Sequence, residues 1–103
     1  MSRFRSEGAL CAVVLTYVRP LDEVAAQIAR HVAWLDAGFA EGAFLVAGRR
    51  DPRTGGVILM RGTAEDVAAV AATDPFVTSG VATVEVIAFN ASFARDEIAG
   101  LLA

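Results

Sequence analysis

The sequence predicts an α+β fold of order βαββαβ: a four-stranded antiparallel sheet, helices on one face, and a short C-terminal helix. Three observations predict it. Strand-like apolar runs alternate with helical stripes along the chain. The runs at residues 10–18 and 57–60 are predominantly apolar on both faces of a strand. Between the second and third strands, Asp51-Pro52 and Gly55-Gly56 mark a hairpin turn.

In chain order, residues 1–8 are polar and mixed and read as a loose tail. Residues 10–18 form the first strand, which Pro20 stops; proline is tolerated in a first helical turn. Asp22 and Glu23 suit the positive end of a helix. From there Val24, Ile28, Val32, Leu35 and Phe39 form a stripe with the 3.6-residue helical period, and His31 falls inside it. Gly38 and Gly42 supply stop signals.

Residues 43–48 read as the second strand and residues 55–61 as the third. Thr63 with Asp66 three positions on resembles a capping box, opening a helix over 64–72 with Val67 and Val70 on one side. Asp74-Pro75 breaks it, because the residue before proline is pushed out of helical geometry. Residues 81–89 are a β-branched fourth strand, and 92–102 a terminal helix carrying Phe93, Ile98, Leu101 and Leu102. The chain reads as one domain, 1–103, with its core at 10–89 and a helical tail at 90–103.

This order is the ferredoxin-like split βαβ arrangement. Right-handed crossovers place both helices on one face, with the first and third strands central. The other face is then bare and apolar, a patch unusual on a monomer, so a homodimer through the sheet face is expected. The composition agrees: 55% of residues are hydrophobic and mean hydropathy is +0.52. The longest nearly unbroken apolar stretch, 9–18, is far short of the about 20 residues that cross a bilayer. No signal pattern opens the chain, so a cytoplasmic protein with no membrane partner is expected.

A net charge of −3 and a pI near 5.0 argue against nucleic acid as a ligand. All nine basic residues are arginine, which removes lysine Schiff-base chemistry and the P-loop lysine together. Cys11 lies among apolar neighbours and reads as a buried, inert thiol. A single histidine and a single cysteine make a metal cluster within one chain improbable, so no metal is expected.

His31 and Asp74 carry the chemistry. If the fold sets their helices side by side, they form an acid/base pair, and histidine titrates ordinarily near neutrality. Each has a plainer reading: His31 as a core or interface histidine, Asp74 as a turn aspartate accepting backbone hydrogen bonds. Trp34 and Phe76 fit core, pocket wall or a stacking surface for an aromatic ligand. Arg49, Arg50 and Arg53 fit a solvated loop or an anion clamp, and Tyr17 at a strand end is structural or a hydrogen-bond donor into a cavity. Ser79 lacks nucleophile-elbow glycines and is no acylating serine.

The ordered set His31-Val32-Ala33-Trp34-Leu35 with Gly38, then Leu45-Val46-Ala47-Gly48, then Thr73-Asp74-Pro75-Phe76 with Ser79-Gly80-Val81, resembles the YciI-like (YCII-related domain) family over residues 10–89. The resemblance implies a dimeric α/β barrel of ferredoxin-like subunits and a catalytic pair mapping onto His31 and Asp74. It also implies acid/base chemistry on small, often aromatic or halogenated molecules, without a metal or organic cofactor. The chain departs from the family pattern at three points: Arg49 stands where a proline often follows the Ala-Gly, Ile28 stands where an arginine often lies three residues before the histidine, and the hairpin from Arg49 to Gly56 is short.

The expected site is therefore His31 and Asp74 as the catalytic pair, with Trp34, Arg49, Phe76 and Ser79 as substrate contacts. The expected function is a cofactor-independent lyase or isomerase acting on a small molecule. The alternative is a non-catalytic dimeric module that binds a small ligand or accompanies an enzyme. A solvent-connected pocket at His31 separates the two, because a sealed histidine cannot meet a substrate.

Overall fold

A computed structural model describes residues 2–4 and 8–102. A short strand β1 (Ser2–Phe4) precedes the long strand β2 (Ala9–Tyr17). In β2, Cys11, Val13 and Leu15 are buried, while Ala12 and Val14 are only half-buried, the two-residue alternation of a sheet with one covered face. Helix α1 (Leu21–Ala25) follows with Pro20 as its N-cap and Asp22 and Glu23 in its first turn. Helix α2 (Ile28–Ala40) comes next. The single helix expected from the stripe is thus two, separated at Ala26 and Gln27, where Gln27 (φ −104°, ψ −2°) leaves regular helical geometry.

Gly38 does not stop α2; it is buried inside it, where an added Cβ would overlap the Phe44 ring. The stop comes at Gly42, whose φ of 78° favours a residue without a Cβ. Strand β3 (Phe44–Arg49) and strand β4 (Gly55–Arg61) form the expected hairpin. Helix α3 (Ala64–Ala71) opens on Thr63, whose Oγ1 accepts the Asp66 amide at 3.3 Å, as the capping signature requires. Its buried residues are Val67 and Ala71, one turn apart, and Val70 points outward at 40% exposure. A further one-turn helix α4 (Pro75–Thr78), absent from the sequence reading, precedes strand β5 (Ala82–Asn90).

The main sheet runs β3-β4-β2-β5, antiparallel throughout, with β2 and β4 at its centre as expected. The fold is the ferredoxin-like α+β arrangement. Its core is one cluster joining Cys11, Val13, Leu15, Ile58 and Met60 of the sheet to Val24, Val67, Ala71 and Phe76 of the helices. On the other face the register aligns Val46 with Leu59, Leu59 with Ala12, and Ala12 with Ile87. Cross-strand partners share a face. That face leaves Val46 60% exposed and both Ile87 and Phe89 48% exposed.

The chain ends differ from expectation. Residues 92–102 are strand β6 (Phe93–Arg95), a four-residue helix α5 (Asp96–Ala99) and a 3₁₀ turn (Gly100–Leu102), not one helix. Strand β6 pairs antiparallel with β1, so Ser2–Phe4 is a strand rather than a loose tail. Pairing partners so far apart in sequence override local helical preference. Met1 and residues 5–7, assigned to the same tail, lie outside the described residues. Among the described residues no helix is long and apolar enough to cross a membrane.

Candidate active site

Asp74 owes its position to the proline that follows it. Its ψ of 127° is extended, as a residue before proline prefers, and places it as N-cap of α4 with Pro75 inside the first turn. Its Oδ1 accepts the Phe76 amide at 3.0 Å, and the whole residue is buried. The turn reading of Asp74 is therefore correct. The same Oδ1 also lies 2.8 Å from Nδ1 of His31 on the first turn of α2. An ionised carboxylate can only accept a hydrogen bond, so with Asp74 ionised the proton between the two groups is on Nδ1. The other carboxylate oxygen, Oδ2, is buried without a hydrogen-bond partner.

The imidazole is gripped on its face as well as its edge. The Phe76 ring stacks on it with centroids 3.9 Å apart and planes 6° apart, and Tyr17 meets Phe76 edge-on at 5.9 Å. Trp34 stands behind this group. Its Nε1 donates to Thr73 Oγ1 at 2.9 Å, Thr73 donates in turn to the Val70 carbonyl at 2.6 Å, and the indole packs 4.9 Å from Phe44. These contacts tie α2 to the corner between α3 and α4, which keeps His31 and Asp74 in register.

His31 and Phe76 line a cavity of about 370 Å³ between α2 and the β3–β4 hairpin. That volume suits a small molecule. Ile28, Val32 and Leu35 form its helical wall, which explains why Ile28 and Val32 remain 37% and 44% exposed despite their place in the apolar stripe. Opposite them lie Gly48, Gly55 and Gly56, which offer no side chains to fill the space. A Cβ on Gly55 would run into the Leu15 carbonyl, so that residue cannot be larger.

Of the expected site residues, the structure brings together His31, Asp74 and Phe76, with Arg49 on the same cavity. Asp74 stands behind the histidine and is not itself part of the lining. Trp34 and Ser79 lie outside the lining as well: Trp34 is the packing residue just described, and Ser79 is an exposed residue at the C-terminal end of α4. Tyr17 and Arg53, offered by the sequence as a donor into a cavity and as part of an anion clamp but not counted among the substrate contacts, also line the cavity. Tyr17 was legible by parity, since it shares the covered face of β2 with Val13 and Leu15. Arg53 has no such signal, because a hairpin tip folds back only in three dimensions.

The model of the YCII-related domain matches residues 10–90. The chain belongs to the YCII-related domain family. Among solved structures, this YCII-related chain is similar to 5-chloro-2-hydroxyhydroquinone dehydrochlorinase from Burkholderia phenoliruptrix AC1100, determined in complex with 2,5-dihydroxybenzoquinone. The TM-score is 0.62 at 22% identity, covering 79% of this chain and 91% of that one, a likeness of fold. No curated protein matches the chain.

Proposed function

We propose that this YCII-related protein is a small lyase or isomerase that works by acid/base chemistry without a cofactor, with His31 as the proton-transfer group and Asp74 as its positioning partner. One observation carries the reading. His31 presents a ring to a cavity of about 370 Å³ while a buried carboxylate engages its Nδ1 at 2.8 Å. Nε2 is then the nitrogen available to a substrate. Taking a proton there makes the ring an imidazolium beside the Asp74 carboxylate, so the pair stabilises the charge that the step creates. The electron pair left by that proton, taken from a C–H or a phenolic O–H bond, either expels a leaving group such as chloride, giving elimination, or takes a proton back at another atom, giving isomerisation. A small aromatic or halogenated substrate fits the apolar wall and the Phe76 ring, and the fold shared with a dehydrochlorinase of a chlorinated hydroquinone supports that class.

A screen of chlorinated hydroquinones for chloride release and quinone absorbance tests this reading, run on the wild type, His31→Asn and Asp74→Asn. We expect turnover that His31→Asn abolishes and Asp74→Asn lowers by about tenfold or more, in the range of acid/base contributions. Turnover that survives in His31→Asn overturns the assignment. The non-catalytic binding module remains the competing class, and saturable binding with no turnover across the screen favours it.

The open sheet face is the proposed homodimer surface, supported by its exposed Val46, Ile87 and Phe89. Light scattering on the wild type and on Ile87→Glu tests it: a dimer that the charge splits supports the surface, and a wild-type monomer overturns it.

A further inference from the structure

Three arginines cluster at the β3–β4 hairpin, and the fold sorts them. Arg49 pairs with Gly56, which pairs with Leu15, so the three form one cross-strand row on the covered face. Gly56 has no side chain, and Arg49 beside it lines the cavity. Arg50, one residue on, takes the opposite face and donates to Thr16 Oγ1 at 3.2 Å. Arg53 folds back from the hairpin tip onto the cavity. No carboxylate lines the cavity, and neither Arg49 nor Arg53 is engaged by a described residue. Two arginines without a partner thus line a largely apolar cavity, beside His31 and Tyr17, in a chain whose net charge is −3.

We propose that the cavity takes a planar organic anion, its oxyanion held by Arg49 and Arg53 and its apolar body laid between the Ile28–Val32 wall and the glycine floor, within reach of His31. Guanidinium forks suit carboxylates and phenolates, and the low-dielectric wall strengthens the attraction. The inference deepens the reading of this cavity as the substrate site and names the substrate's charge. It is independent of whether His31 transfers a proton.

Benzoate and its neutral isostere benzamide test it, by titration followed through amide and imidazole NMR shifts. We expect saturable benzoate binding that weakens about tenfold or more in Arg49→Gln/Arg53→Gln, the cost of a lost charged hydrogen bond. Benzamide should bind more weakly than benzoate and respond little to the same variant. Inorganic phosphate, charged but without an apolar body, should also bind more weakly than benzoate. Arg53→Gln alone, on an exposed hairpin away from the core, gives a second folded test, and thermal melts check both variants. Equal binding of benzoate and benzamide, benzoate binding that ignores the arginines, or no saturable benzoate binding overturns the anion site and leaves the His31–Asp74 chemistry standing. Arginine-dependent benzoate binding supports it, even in a protein that turns over nothing in the screen.

Discussion

Asp74 holds His31 with the oxygen that also caps helix α4: Oδ1 is 2.8 Å from His31 Nδ1 and 3.0 Å from the Phe76 amide. Folding α4 and orienting the imidazole are thus one event, and substitutions can separate them. Asparagine caps a helix nearly as well as aspartate, whereas alanine does not. Asp74→Asn keeps an accepting Oδ1 and should keep most of the stability, but it removes the negative charge beside the ring, visible in the ¹⁵N shifts of the single histidine. Asp74→Ala should lose a further ~1 kcal/mol or more in urea denaturation. An imidazole spectrum unchanged in Asp74→Asn would show that the carboxylate's charge does not act on the ring.

Phe76 serves both the core and the site, since it is buried and stacks on His31 at 3.9 Å. Phe76→Ala should cost about 3–5 kcal/mol, the usual loss for a core aromatic. Phe76→Leu keeps most of the volume and should cost under about 1.5 kcal/mol. It still removes the flat surface under the imidazole, so the His31 ring signals should broaden while the fold persists.

Gly38→Ala should destabilise the fold by about 1–3 kcal/mol, because the new methyl overlaps the Phe44 ring, which Trp34 and Phe39 confine. Gly48 is the control: an added methyl there meets nothing, and Gly48→Ala should change stability by no more than about 0.5 kcal/mol. Equal effects at the two positions in chemical denaturation would contradict this packing.

Burial pushes the Cys11 thiol above its ordinary value of 9.0, and its Sγ meets the Gly62 carbonyl at 3.5 Å. The folded protein therefore keeps this proton at pH values where the unfolded chain has lost it. Its contribution to stability is complete below pH 9.0 and declines as pH rises from there toward the folded value. Cys11→Ala should flatten that alkaline decline. At neutral pH the native thiol should resist alkylation and react only in denaturant; rapid native labelling would refute the burial.

Local chemistry was readable wherever it is local. The Thr63–Asp66 cap, the break at Asp74-Pro75 and the four sheet strands with their central pair are written in neighbouring residues, and the structure has them. The pair His31 and Asp74 was readable because proline sets the aspartate's geometry and the helical period puts the histidine on the inner face. The ribbon of β1 and β6 was not, since its pairing joins opposite ends of the chain.

The sequence by itself determined the order of elements, the apolar sheet and the residues able to transfer a proton, because periodicity and turn chemistry act over a few residues. Only the tertiary structure decided which of them meet. The cavity exists because Gly48, Gly55 and Gly56 come to lie opposite Ile28 and Val32, a juxtaposition of segments distant in sequence. The same packing sends Arg49 to the covered face and Arg50 to the other, turns Trp34 into a strut, and leaves Ser79 in solvent. Neighbours in sequence part company there, because a strand points successive side chains to opposite faces.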